Sequence, residues 1–174
     1  KGVQLTPYET NQAIGSMIMM NLIKLNQMNS ISGKWDSYDS PLYNDMYVCI
    51  GKSTKTVSPL VFKASFLDTE DDDQDNGDIL MIEDMQTGES SSITIQGVDW
   101  RIGKHICKAV IDQEEITLQY LEPIPQGAKL FYHGAYLDMK LYTPEEFEML
   151  KYMIPAEEID TSKYRSEEHT SELQ

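Results

Sequence analysis

His105-Ile-Cys-Lys-Ala-Val-Ile111, Asp112-Gln-Glu-Glu115 and Ile116-Thr-Leu-Gln-Tyr-Leu121 follow one another without a break, and their reading decides the fold. Both apolar runs are short and rich in β-branched residues, and a polar connection of hairpin length separates them. Successive side chains of a strand point to opposite faces. In the second run this sorts Ile116, Leu118 and Tyr120 inward and Thr117 and Gln119 outward.

Moving outward, the same grammar recurs at Met46–Ile50, Leu60–Leu67, Ile79–Ile82, Ser92–Ile95 and Lys129–Tyr132, with Gln86-Thr-Gly-Glu89 as a further hairpin connection. Short strands at regular intervals predict an antiparallel meander of six to eight strands, curled into a barrel or a sandwich. A helix is expected before it. Thr6-Pro7-Tyr8-Glu9 supplies an N-cap, a proline in the first turn and a glutamate reaching back. Ile14, Met17, Ile18, Leu22, Leu25 and Met28 then follow helical spacing, with Met19, Met20 and Ile23 widening the stripe. The same start chemistry returns at Thr143-Pro144-Glu145-Glu146, where Tyr142 can staple onto Phe147, and Pro155 stops a short closing helix over 144–154.

The fold class expected is therefore α+β, predominantly antiparallel β, with a long N-terminal amphipathic helix and a short C-terminal one. Its parts are a helix within 1–34, a polar loop over 35–45 and a β-rich domain over 46–164. The last ten residues, 165–174, resemble the translation of a sequencing adaptor and are expected to carry no function. On that reading the gene runs on beyond them. Lys1 leaves any leader segment unjudged.

The chain has 174 residues, 40% of them hydrophobic, with 29 acids against 14 bases and a net charge of −15. Taking away the three acids and one base of the tail leaves 26 acids and 13 bases, so the acidity belongs to the domain. Such a surface repels phosphate backbones, and nucleic-acid binding is not expected. No apolar run approaches the roughly 20 residues that cross a bilayer, so neither is a membrane span. A soluble protein of the cytoplasm or of a virion fits these figures. Two cysteines do not make a disulfide scaffold.

Among motifs, Asp72-Asp-Gln-Asp-Asn76-Gly77-Asp78-Ile-Leu-Met-Ile-Glu83 follows the calcium-loop template except for Gln74 at its third position. Asp72, Asn76, the carbonyl of Asp78 and a bidentate Glu83 are the candidate calcium ligands, because a hard cation takes oxygen donors. The strand-like run before the loop departs from the template, and a solvated acidic turn is the plainer expectation. Cys49, His105, Cys107 and His133 are the residues from which a zinc shell or a Cys107/His133 nucleophile and base would be built, with no paired spacing to demand either. Gly51-Lys-Ser-Thr54 lacks the earlier glycine of a phosphate loop, since Met46 stands in its place.

Gly97-Val-Asp-Trp-Arg101-Ile-Gly-Lys-His105-Ile-Cys107, followed by Pro123-Ile-Pro-Gln-Gly127-Ala-Lys-Leu-Phe-Tyr132, resembles in spacing the core of SET-domain lysine methyltransferases. The resemblance implies a cofactor-side motif at Arg101, His105 and Cys107 and an active-site tyrosine near Tyr132. The sequence departs from that family at Lys104, in the residues after Cys107 and in the register of the tyrosine. An enzyme built on His105, His133, Glu114 or Glu115 is the wider form of this alternative.

With no activated nucleophile, acid/base pair or cofactor loop evident, the leading expectation is a non-catalytic protein-binding or assembly module. It would engage a protein partner or a second copy through the Met-rich helix face or the aromatics Phe131, Tyr132, Tyr136 and Tyr142, although packing within the domain's own core is the plainer expectation for both. An acidic, β-rich product of metagenomic sequencing also suits a phage or viral structural component. No catalytic residue and no cofactor other than calcium is nominated.

Overall fold

The computed structural model describes residues 4–32, 45–51, 59–67 and 77–153. Helix α1 (Pro7–Ser32) leads into eight strands: β1 (Met46–Gly51), β2 (Leu60–Phe66), β3 (Asp78–Asp84), β4 (Ser90–Asp99), β5 (Ile106–Ile111), β6 (Glu114–Ile124), β7 (Gly127–Tyr132) and β8 (Ala135–Tyr142). Helix α2 (Pro144–Met153) follows. Each strand pairs antiparallel with the next, and β8 returns to β1, with Tyr142 opposite Tyr47 and Met139 opposite Ile50. The sheet is a closed barrel, one of the two forms expected.

Closure follows from local chemistry. Asp112 and Gln113 at φ 51° and 66° make the tight β5–β6 turn, and His133 and Gly134 at 48° and 80° make the β7–β8 turn. Positive φ at both central residues matches the twist of the flanking strands. Register shifts at Ile95/Gly97 and Tyr120/Glu122 bend β4 and β6, as bulges do. Gly127 is required where β7 crosses close to β8, because a Cβ there would run into the carbonyl oxygen of Met139.

Strand β8 was not among the runs read from sequence. Its alternation is nonetheless complete, with Ala135, Leu137, Met139 and Leu141 buried between less buried neighbours. Strand β6 shows the expected alternation, with Leu118 buried, Ile116 and Tyr120 packed on the core, and Thr117 and Gln119 exposed. The segments 33–44 and 165–174 lie outside the described residues.

The Met-rich face of α1 is not an outward surface. From Asn11 to Met20 every residue except Met19 is buried, and α1 packs against β4, β5 and β8 around the barrel. A helix lying on one sheet face buries a single stripe, whereas this stretch is buried all round, so α1 runs through the barrel. Gly15 allows the closest approach. A Cβ there would sit 2.7 Å from Cδ1 of Ile93 and 3.1 Å from Cδ1 of Ile95. Ile14, Ile18 and Met20 join the inward residues of the strands in a single core.

Three polar residues of α1 enter that core with partners. The Tyr132 hydroxyl donates to Gln12 Oε1 at 2.6 Å, Asn11 Nδ2 donates to Ser91 Oγ at 2.7 Å, and Ser16 Oγ donates to the Gln12 carbonyl at 2.9 Å. Buried polar atoms are costly unless bonded, so the first two pairs fix how far α1 is inserted and how it is turned.

Candidate functional site

Of the calcium ligands read from sequence, Asp72 and Asn76 lie outside the described residues. Asp78 opens β3 and Glu83 stands near its end, opposite Lys63 and Ser90. Five residues of extended chain put about 16 Å between those two. Burial pushes the Asp78 carboxyl above the ordinary carboxylate range.

The sulfur and imidazole residues do not converge. Cys107 points into the barrel with no exposure, and burial followed by the nearby Asp99 charge pushes its thiol up to about 12. Cys49 is also buried and its thiol is raised, first by burial. Thiols held protonated are poor nucleophiles and poor metal ligands. His105 lies outside, before β5 begins, with Nδ1 3.1 Å from the Tyr120 carbonyl. Its neighbour Ile102 donates its amide to Gln27 of α1, while His133 meets Glu9 near the helix start. Those two points on the helix are 18 residues apart, about 27 Å along its axis. Among the described residues no three of His, Cys, Asp and Glu come together as a metal ion requires. The cofactor-side trio implied by the methyltransferase resemblance is likewise dispersed, with Arg101 and His105 outside the barrel and Cys107 within it.

The structure does gather a titratable cluster at the barrel mouth where α1 enters. A cleft of about 550 Å³ is lined by Glu9, Gln12, Glu114, Glu115, Tyr132 and His133, among others. His133 Nε2 stands 3.7 Å from Glu9 Oε2, and the Tyr8 hydroxyl donates to Asp112 Oδ2 at 2.6 Å. Asp112 Oδ1 accepts the Thr94 amide. Lost hydration, then the hydrogen bond to Asp112, raises Tyr8 to about 12. Lost hydration, then the Glu9 charge, raises Tyr132 to about 12 as well. Sequence reading named His133, Glu114 and Glu115 but missed Glu9, whose role there was only to cap α1. Several of these groups are spent on structure. Glu9 caps with one oxygen, Asp112 bridges helix to turn, and Tyr132 holds Gln12.

At the other mouth a cleft of about 390 Å³ lies between Met17, Met20 and Lys24 of α1, Trp100, Tyr120 and Glu146. Trp100 Nε1 donates to the Lys104 carbonyl, and its ring lies 5.2 Å from that of Tyr120. These contacts set the loop between β4 and β5, Trp100 to His105.

On the outside of the barrel a row of side chains crosses β5 to β8, apolar except at Gln119. Ile106 pairs with Gln119, Gln119 with Phe131 and Phe131 with Tyr136, so these side chains stand side by side across β5 to β8. Tyr136 is 59% exposed, and its ring packs 4.6 Å from that of Phe131. Of the aromatics named from sequence, Tyr132 is therefore interior, while Phe131 and Tyr136 form an outer pair. Other outward positions are Lys108, Thr117, Lys129 and Asp138, unlike the apolar band of a membrane barrel. Among the described residues no helix is long and apolar enough to cross a membrane.

Residues 19–155 match the family of the propionyl-coenzyme A carboxylase BT domain. The match begins inside α1, takes in all eight strands and ends beyond α2. No curated protein matches the chain.

Proposed function

Since the chain belongs to the family of the propionyl-coenzyme A carboxylase BT domain, we propose that it is a non-catalytic binding module that joins other parts of such a carboxylase. The observation that carries this reading is the family match across the whole barrel. The interior supports it. In small barrels that bind ligands the lumen is the site, whereas here α1 occupies the lumen. The nearest approach to catalytic machinery, at the α1 entrance, has several of its polar groups committed to holding the helix. A protein partner is expected rather than nucleic acid, given the net charge of −15. The match gives no support to a phage or viral origin.

The test is sedimentation of the purified chain with a propionyl-coenzyme A carboxylase from which the BT domain has been removed. Co-sedimentation in fixed stoichiometry, with no carboxylase activity in the chain alone, is the expected result. Independent migration of the two at micromolar concentration would remove the proposal.

A further inference from the structure

The face built by the outer sides of β5 to β8 and the loop before β5 differs in charge from the rest of the domain. Arg101, Lys104 and Lys108 fall within eight residues, and no Asp or Glu occurs between Trp100 and Ile111, in a chain of net charge −15. Lys104 is held 3.7 Å from Asp99. Arg101 and Lys108 are exposed and have no carboxylate within 4 Å among the described residues, and Asp99, opposite Lys108 across β4 and β5, is paired with Lys104 instead. Farther along the face Glu122 stands 3.6 Å from Lys129, Asp138 lies opposite the same lysine, and Glu115 of β6 is exposed opposite Val110.

Three of the seven large apolar side chains exposed among the described residues, Ile102, Ile106 and Tyr136, stand on the same face. Ile102 is 51% exposed and Ile106 44%, and the row from Ile106 runs through Gln119 and Phe131 to Tyr136. Three strand spacings make that row about 14 Å long. Tyr136 is already braced by Phe131, so a contact there loses little side-chain freedom. A closed barrel offers no free edge for strand addition, so an occupant must lie across the strands and be read by side chains.

We propose that this face docks a segment of a partner protein that presents apolar anchors flanked by Asp or Glu, the anchors on Ile106 and Tyr136 and the carboxylates on Arg101 and Lys108. The proposal rests on the assembly reading and adds the face and the chemistry of the partner. Arginine pairs with a carboxylate through two parallel hydrogen bonds, which fixes the register of the segment as well as attracting it. On an acidic domain, these cations also mark an approach along which an acidic partner is steered rather than repelled.

The experiment measures binding of the full chain to the carboxylase lacking its BT domain, for the parent, for Arg101→Glu/Lys108→Glu/Tyr136→Ser and for Met85→Ser on the β3–β4 turn. All these residues are exposed, and thermal melting verifies that each variant is folded. The triple variant is expected to bind about 100-fold more weakly, Met85→Ser unchanged, and parent binding to weaken from 50 to 500 mM salt. Parent-like binding by the triple variant would overturn the proposed face while leaving the assembly reading intact. No binding by the parent would overturn both. Self-association of the parent through the same residues, seen in sedimentation of the chain alone, would overturn the choice of a different protein as occupant.

Discussion

Helices α1 and α2 begin with the same chemistry and end in opposite places. In α1 the Thr6 amide donates to Glu9 Oε1 at 2.9 Å and the Glu9 amide to Thr6 Oγ1 at 3.1 Å. In α2 the Thr143 amide donates to Glu146 Oε1 at 2.9 Å and the Glu146 amide to Thr143 Oγ1 at 3.1 Å. Each box starts a helix, and neither says where it goes. The residues that follow decide. After the first box apolar side chains appear on every side from Ala13 to Met20, and a helix without a polar face is dry only when enclosed. After the second come Glu148 and Met149, the latter 63% exposed, and α2 lies outside on β1 and β8. Its anchor is Phe147, stacked 4.2 Å from Tyr47 with the rings 3° apart. A cap sets where a helix starts, whereas the width of its apolar surface sets whether it becomes core or cover.

The largest contrast to test is between the two buried surfaces. Ile14→Ala or Ile18→Ala removes a fully enclosed side chain and is expected to cost about 2–5 kcal/mol in urea unfolding, against less than about 0.5 kcal/mol for Met149→Ala. Equal losses would mean that α1 is no more enclosed than α2.

Next in size is Tyr132→Phe, which strands Gln12 Oε1 in the core and should cost about 1–3 kcal/mol. It should also change the alkaline limb of stability. The folded pKa of Tyr132 stands near 12, above the ordinary tyrosine value of 10.0. The unfolded chain thus loses its proton first, and this contribution is complete below pH 10 and declines between pH 10 and 12. Unfolding followed from pH 9 to 12 should fall less steeply for the variant than for the parent. Tyr8 contributes to both in the same direction.

Smaller still are the caps. Thr6→Ala is expected to lower global stability by about 1 kcal/mol, because α1 is part of the cooperative core. Thr143→Ala should cost a similar amount locally and show as fraying of α2 by circular dichroism, with little change in the main transition. The smallest expected effect is that of calcium. With Asp78 and Glu83 separated along β3, a titration to 5 mM should leave the melting temperature unchanged, and a rise of several degrees would restore the acidic loop as a site.

Much of this architecture was legible in the sequence because strand alternation and capping boxes are local signals. The β5–β6 hairpin, both helix starts and the antiparallel order could be read directly. Strand β8 escaped because Tyr136, Asp138 and Lys140, which face outward, break up its apolar residues. Its buried partners Leu137, Met139 and Leu141 and the His133-Gly134 turn were the available signals. That α1 fills the barrel was not legible. Helical periodicity registers a wide apolar face, and only closure of the strands around it turns a face into a core. The pairing of Glu9 with His133 joins residues 124 positions apart, and nothing local announces it.

Native-state hydrogen exchange resolved by residue tests the helix-filled barrel most directly. The account predicts that amides from Ile14 to Met20 exchange as slowly as those of β5 and β6, through global unfolding alone, while α2 exchanges orders of magnitude faster. Rapid exchange across that part of α1 while the barrel strands remain protected would contradict it.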